Sequence, residues 1–588
     1  MNAHDERQTL ATEIRLALIF AILFGAAFPP IAIWWLAYWI PVPITIAAWR
    51  TDRPWRTLMV FTGAGAIVCA LYHRWLIDVT LPGYPFMCLL FGLFYGLYAL
   101  LLSRARRRNL PVWLAMPACW VGLEFLRGQI AFDGYPWYLL AHATMRTLEW
   151  ERPSSIAYLA SFVGAYGLSL IVCTISLPLL IERARSSGPQ RLARALAISC
   201  LVIVAWSAAG AILARPANTT EPRTIRVGIV QTSLPQSNKI GWAFDRRIDD
   251  FARFIELTRS FETLDQRPDV IIWPETMYPG LALDDQSVLA LDDADDAYPA
   301  FDALGPQMRA ILQDTQSQLG VPLLVGTETF ESFQVDVRAF DDESLDLFSW
   351  DARYNSVVML DNGLVDPGAY SKLHLTPFGE VMPYISNWPW LEQALLDLGA
   401  RGMSFDLDAG TSPHAFSIDT PDSTVSIAPL ICFEATNPDV AKRQVHRDGR
   451  RQADVLTHIT NDGWFGPIAG GRQTHALIAR SRAIELGTPV VRVANTGISC
   501  AFDDTGRRLV LHALDPDTGR LEDQATLPRD REGVAVVDIP LPRRSTLASR
   551  TGDVGWVCLA GMVLCVVLRR KDTAHTDADS NAEPEASP

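Results

Sequence analysis

Apolar positions are not spread evenly along this chain. Apolar stretches run over about 15–34, 31–49, 57–77, 87–102, 111–126, 156–181 and 195–214, and an eighth follows at 553–568. A helix needs about 20 apolar residues to cross a bilayer, and most of these stretches approach that length. Pro29 and Pro30 predict a turn between the first two. A signal peptide would account for the first stretch only, and six more follow it before the polar segment begins. The pattern therefore predicts a polytopic α-helical membrane domain of about eight spans. Seven fall in residues 1–215 and the last in 553–571, and an acidic disordered cytoplasmic tail is expected over 572–588.

Between them, over 216–552, the periodicity changes. Thr224–Gln231, Asp269–Trp273, Val321–Gly326, Asn355–Leu360, Ser426–Ile431 and Val455–Thr460 are short buried-strand runs. A further strand is predicted over Pro489–Asn495. Arg246–Phe261 and Gln473–Leu486 have helical spacing. This alternation predicts an α/β layered domain, with its chemistry in loops beyond strand ends. Two acidic inserts, Asp284–Asp296 and Asp336–Asp351, are expected to be solvated loops. The second interleaves Phe340, Leu345, Leu347, Phe348 and Trp350, so a lid is the alternative there.

Composition changes the picture only once it is divided. The 588 residues are 49% hydrophobic and 20% charged, and the mean hydropathy of +0.13 describes neither part. A net charge of −14 argues against a nucleic-acid binder, which would normally be basic. Loop charges set an orientation by the positive-inside rule. With the N-terminus inside, the inner loops contain Arg50, Arg53 and Arg56, then Arg104 and Arg106–Arg108, then Arg183, Arg185, Arg191 and Arg194. The turn Asp78–Phe86 has no Lys or Arg, and the loop Arg127–Pro153 is mixed. The large polar segment is then delivered to the trans side. Of nine cysteines, only Cys432 and Cys500 fall there. A free thiol in an oxidising compartment invites a chemical explanation, and a buried inert thiol is the alternative.

Three polar residues stand just after buried strands: Glu275 in Trp-Pro-Glu, Lys372 in Tyr370-Ser-Lys, and Cys432 in Leu-Ile-Cys-Phe-Glu434. Each alone has a bland reading as a surface or core residue. Lys372 stands out because lysine is rare here, the others being Lys239, Lys442 and Lys571, and an ammonium differs from a guanidinium in size and hydration. Together the three make a coherent set. A thiol attacks a carbonyl as thiolate, a carboxylate can take its proton, and an ammonium lowers the thiol's pKa and stabilises an oxyanion. His374 offers a Cys–His pair as the competing arrangement. No zinc-ligand pattern, phosphate loop or heptad appears, so neither a metal nor a cofactor is expected.

With these residues on the page, the segment from about 224 to 540 resembles the nitrilase (carbon–nitrogen hydrolase) superfamily. The supporting motifs are Val-Gln-Thr-Ser-Leu-Pro-Gln-Ser at 230–237, Trp-Pro-Glu at 273–275, Pro-Phe-Gly-Glu at 377–380, Ile-Cys-Phe-Glu at 431–434 and Thr-Asn-Asp-Gly-Trp-Phe-Gly at 460–466. Arg480-Ser-Arg-Ala-Ile-Glu485 and Arg492-Val-Ala-Asn-Thr-Gly497 continue them. Adding Trp120…Glu124…Arg127-Gly128, Gly134-Tyr-Pro-Trp137 and Gly164-Ala-Tyr-Gly167, nearly the whole chain resembles the apolipoprotein N-acyltransferase family. That resemblance implies a four-layer α-β-β-α sandwich with Glu275, Lys372 and Cys432 as base, oxyanion stabiliser and nucleophile. It implies supporting roles for Glu380, Phe433, Glu434, Trp242 and Trp464. It implies a phospholipid acyl donor, a diacylated lipoprotein acceptor, a monomer, and a place in the bacterial inner membrane with the catalytic domain periplasmic. Two positions depart from the family pattern: Phe433 where Tyr is usual, and Ile240 directly after Lys239, with Trp242 two residues on. Val381–Leu391, rich in Trp and Tyr, is expected either to enter the lipid interface or to pack in the core. A membrane-tethered amidase and a non-enzymatic binding module are the competing functions.

Overall fold

The computed structural model describes residues 3–185, 188–214, 223–235, 242–297, 304–340, 345–385, 388, 390, 407–466, 469–541 and 544–568. Its N-terminal part is helical. Among the described residues, five stretches are long and apolar enough to cross a membrane: Gln8–Ala27, Pro54–Tyr72, Gly83–Arg107, Ser155–Glu182 and Pro189–Leu213. The other predicted spans are shorter helices, Pro41–Arg50, Val112–Phe125 and, near the C-terminus, Val554–Leu568. Pro54–Tyr72 and Gly83–Arg107 pack backbone to backbone through Gly65 and Gly92. A Cβ on Gly92 would lie 2.3 Å from the Thr62 carbonyl oxygen.

The α/β part holds a nine-stranded and a five-stranded sheet. Their strands are β1 (Thr224–Gln231), β2 (Val270–Ile272), β3 (Leu323–Glu331), β4 (Ala352–Asp361), β5 (Leu364–Val365), β6 (Tyr370–Ser371) and β7 (Phe416–Thr420). They continue with β8 (Ser423–Ile431), β9 (Val455–Thr460), β10 (Val490–Ala494), β11 (Cys500–Phe502), β12 (Leu511–Leu514), β13 (Leu521–Gln524) and β14 (Gly533–Pro540). The larger sheet runs β13-β12-β14-β1-β2-β3-β4-β5, with β6 beside β4, and the smaller runs β11-β10-β9-β8-β7. β1, β2 and β3 are parallel, and so are β8, β9 and β10.

Alternation along these strands sorts the core. Ile225, Val227 and Ile229 of β1 meet Ile427, Val455, Ile459, Val491 and Val493 of the smaller sheet in one apolar cluster. The other face of the larger sheet packs on Phe251 and Phe254 of helix Phe244–Arg259 and on Met308 and Leu312 of helix Leu304–Leu319. The other face of the smaller sheet packs on Val440 and Ala441 of Pro438–Val445 and on Ala476, Ala479 and Ala483 of Ala469–Leu486.

The acidic inserts differ from the loop expectation. Residues Asp285–Ala297 form a helix. The Asp284 carboxylate accepts the Ser287 N–H at 2.9 Å, which caps it. Val288, Leu291 and Ala294 are buried, three residues apart, while Asp285, Asp292 and Asp293 are exposed. In the second insert, Phe348 stacks on Phe333 at 5.7 Å and Trp350 lies 5.3 Å from Phe330. Leu291 joins the same cluster, so the two inserts close onto each other. Residues 341–344, residues 569–571 and the acidic tail lie outside the described residues.

Candidate active site

The parallel strands of both sheets end on one side, and the loops they release converge there. After β2 comes Trp273-Pro274-Glu275, and Pro274 has no N–H to continue the ladder. The loop crosses over Gly326 of β3, where a Cβ would lie 2.2 Å from the Pro274 carbonyl oxygen. Met277 N–H then bonds the Gly326 carbonyl at 3.0 Å. Both oxygens of Glu275 are fixed. Asn355 Nδ2 donates to Oε1 at 2.8 Å, and the Asn461 N–H, just past β9, donates to Oε2 at 2.7 Å.

Lys372 follows β6, and its N–H bonds the Asn355 carbonyl at 2.8 Å. Its Nζ, fully buried, donates to Glu380 Oε2 at 2.6 Å and to Thr376 Oγ1 at 3.2 Å, and lies 4.0 Å from Glu275 Oε1. Asn355 also donates to Glu380 Oε1 at 3.2 Å, so one amide spans both carboxylates. Burial opposes the Lys372 charge, but Glu380, Cys432 and Glu275 hold the ammonium above the ordinary lysine range. Burial likewise opposes the Glu380 charge, and Lys372 with the Thr376 N–H brings its pKa below the usual value.

Cys432 opens the turn Cys432–Thr436 directly after β8, with a left-handed φ of 51°. Glu434 anchors that turn. Its oxygens accept the Ile431 N–H at 2.7 Å, the Leu373 N–H at 2.6 Å and the Tyr370 hydroxyl at 2.8 Å. It therefore ties the Cys432 turn to the strand that carries Lys372. Cys432 keeps partial exposure. Even so, desolvation of the thiol, reinforced by Glu275, outweighs Lys372 and pushes its pKa above the ordinary range. The expected net lowering by Lys372 is reversed, because burial of the thiol comes first and the carboxylate of Glu275 adds to it.

Phe433 stacks on His374 at 5.8 Å and on Tyr135 of the helical part at 6.3 Å. His374 is thus a stacking partner of the neighbouring ring. Trp464 sits half-buried in the turn Asp462–Phe465 that follows Asn461. Trp242 is not brought to this cluster. Its indole donates to Asp250 at 2.8 Å, and it packs on the outer-face core of the larger sheet. The Lys239–Ile240 departure lies outside the described residues. Trp388 and Trp390 are 53% and 72% exposed, so neither packs in the core.

Several residues at the site had no local sequence signal. Asn355 reads as one more strand residue. His458 could have been found, because it is a polar residue in the buried run Val455–Thr460. His458 Nε2 and His475 Nε2 lie 2.9 and 3.1 Å from the Cys432 carbonyl oxygen. The helical part also reaches the site. Trp137 lies 5.4 Å from His475 and 5.4 Å from Phe465, and the Tyr384 hydroxyl donates to the Ile130 carbonyl at 3.0 Å.

Residues 226–548 match the carbon-nitrogen hydrolase family, and residues 20–177 match the apolipoprotein N-acyltransferase N-terminal domain. Apolipoprotein N-acyltransferase from Geobacter metallireducens is 25% identical over 577 residues, covering 95% of this chain and 96% of the relative. That from Rhizobium meliloti is 30% identical over 455 residues, covering 76% and 73%. Among solved structures, an amidase from Nesterenkonia sp. aligns with a TM-score of 0.34 and 14% identity, over 55% of this chain and 93% of the amidase.

Proposed function

Because the chain belongs to the carbon–nitrogen hydrolase family, and within it to the apolipoprotein N-acyltransferases, we propose that it works by a two-step acyl transfer through Cys432. In the first step the Cys432 sulfur attacks an ester carbonyl of a membrane phospholipid, and Glu275 takes the thiol proton. The C–S bond forms, the ester C–O bond breaks, and the lysophospholipid leaves with that proton. In the second step the α-amine of an N-terminal diacylglyceryl-cysteine attacks the thioester. The C–N bond forms, the C–S bond breaks, and the proton returns to sulfur by way of Glu275. Lys372 stabilises the oxyanion in both steps, and Glu380 and Glu434 keep Lys372 and the Cys432 turn in place. One observation carries this reading: a fully buried Lys372 sits between Glu275 and Glu380, and its charge acts on the thiol.

The finer architecture belongs to the same proposal. Eight spans are supported by the five long apolar helices together with Pro41–Arg50, Val112–Phe125 and Val554–Leu568. An α-β-β-α sandwich over 216–552 is supported by the apolar clusters on each sheet face. The loop arginines support an orientation with the α/β domain in the periplasm of a bacterial inner-membrane enzyme, and a monomeric state belongs to the same proposal. The exposed Trp388 and Trp390 support an interfacial segment at the lipid entrance.

The test is to incubate the protein with labelled phospholipid and determine the mass of the Cys432 peptide. A hydroxylamine-sensitive acyl adduct that discharges onto a diacylated peptide amine is the expected result. Discharge onto water at the same rate would favour a hydrolase, and an adduct elsewhere would remove the mechanism.

A further inference from the structure

Cys432 stands in the left-handed region, with φ 51°. For a residue with a Cβ this conformation is strained and persists only where the surroundings over-determine it. The residue before Cys432 is pinned by Glu434, which accepts the Ile431 N–H at 2.7 Å. The peptide after it is pinned through its carbonyl oxygen. His458 Nε2 lies 2.9 Å away and His475 Nε2 lies 3.1 Å away. The two rings meet edge to face at 4.7 Å.

Alternation places these groups. Val455 and Ile459 of β9 point between the sheets, so His458 points to the other face, towards helix Ala469–Leu486, which carries His475. By the same rule Val491 and Val493 of β10 point inward and Arg492 points outward beside His458. Arg492, His458, His475 and Asp462 are all fully buried or nearly so.

Donor bookkeeping then fixes one proton. A carbonyl oxygen only accepts, and a guanidinium only donates. His458 Nε2 lies 2.9 Å from the Cys432 carbonyl oxygen and must donate there, while Arg492 Nη1, 2.9 Å from Nδ1 and 3.4 Å from Nε2, donates to the bare Nδ1. The proton of a neutral His458 is therefore on Nε2, directed at the Cys432 carbonyl. Arg492 is itself held by Asp462 Oδ2 and by the Ile498 carbonyl at 3.1 Å. Burial, with Arg492 beside it, holds the His458 pKa well below the usual value, so the ring stays neutral and its tautomer does not change across the working pH range.

We propose that His458 is a positioning residue for the nucleophile, whose Nε2–H, oriented by Arg492, holds the Cys432 carbonyl and with it the left-handed turn that presents the thiol to Glu275 and Lys372. This rests on the reading of Cys432 as the nucleophile. His458 touches no substrate and acts only through the Cys432 backbone.

The test compares His458→Leu, which cannot donate, with His458→Gln, whose Nε2 can reach the same carbonyl while its Oε1 accepts from Arg492. The measured quantity is the rate of thioester formation on Cys432 against phospholipid concentration, with Cys432→Ala in parallel. His458→Leu is expected to slow the saturating rate roughly 10²-fold, because the thiol is misplaced rather than the lipid unbound. The half-saturating concentration should stay within about twofold, and His458→Gln should recover most of the rate. A Leu variant as fast as wild type, or a Gln variant as slow as Leu, overturns the proposal. If the Leu variant does not fold, the imidazole ¹⁵N shifts of His458 in the wild-type protein decide. A protonated Nε2 with a bare Nδ1 supports the assignment, and any other protonation state overturns it. An adduct that survives Cys432→Ala removes the acyl-enzyme reading itself, whereas loss of the adduct there with a fast Leu variant removes only the role of His458.

Discussion

A thiol flanked by an ammonium is commonly read as a thiolate, and at the residue scale this site argues otherwise. Desolvation and Glu275 together push Cys432 above the ordinary thiol range, and Lys372 offsets them only in part. At neutral pH the sulfur is therefore protonated, and in the proposed mechanism it becomes a nucleophile only as Glu275 removes the proton during attack. The sign of each contribution gives a crossed prediction. Glu275→Gln removes a negative charge that raises the thiol's pKa, so alkylation of Cys432 by iodoacetamide near pH 8 should quicken by several-fold. The same substitution removes the base, so acylation by phospholipid should fall by roughly 10²-fold or more. Lys372→Met should slow both. Parallel alkylation and acylation rates check this, and a Glu275→Gln variant slowed in alkylation would show that the charge balance is misassigned. The placement of Glu275, Lys372 and Cys432 at strand ends was legible because each follows a buried strand in a short motif. The residues that orient them were less so, since Asn355 serves two carboxylates from inside an ordinary strand and nothing local marks it.

At the element scale, the helix Ala469–Leu486 joins the two parts of the molecule. Its alanines, Ala476, Ala479 and Ala483, let it lie close on the smaller sheet, while Leu477, Ile478 and Ile484 join the core of the helical part. The helical spacing over Gln473–Leu486 was legible, but a helix buried all round does not say which neighbours cover it. Arg480 settles this. Fully buried and without a carboxylate partner among the described residues, it donates to the carbonyls of Gly506 at 2.7 Å, Met145 at 2.9 Å, Trp150 at 2.8 Å and Glu151 at 2.5 Å. Only a planar fork reaches so many acceptors from one position. Arg480→Lys should leave several of these carbonyls unsatisfied and cost about 2–4 kcal/mol. A lowered thermal midpoint is expected, together with faster protease cleavage in the loop Arg146–Arg152 while Cys432 can still be alkylated. Unchanged cleavage there would mean that Arg480 does not hold the junction. The helix Asp285–Ala297 was missed for the opposite reason. Its aspartates dominate the composition, and only every third residue faces in.

On the scale of the whole molecule, the reacting groups face the helical part rather than open solvent. Tyr135 stacks on Phe433, and Phe132 lies 5.6 Å from Phe378 and 5.5 Å from Tyr384. A phospholipid ester sits at the boundary between headgroup and chain, so a site built against bilayer-crossing helices meets it without drawing the lipid out. This requires that the α/β part lie on one defined side of the membrane. On the orientation proposed from loop charge, the arginines of the short loops around Arg53 and Arg107 set that side, because loops rich in Lys and Arg remain in the cytoplasm. The turn at Thr518 is exposed on the α/β part, and the loop at Arg107 is exposed on the helical part. A membrane-impermeant maleimide applied to intact cells should therefore label Thr518→Cys above the background of the native thiols. Arg107→Cys should be labelled only after the membrane is permeabilised. The reverse pattern would put the thiol on the side where the arginines are, and the orientation drawn from loop charge would have to be abandoned together with the periplasmic acceptor.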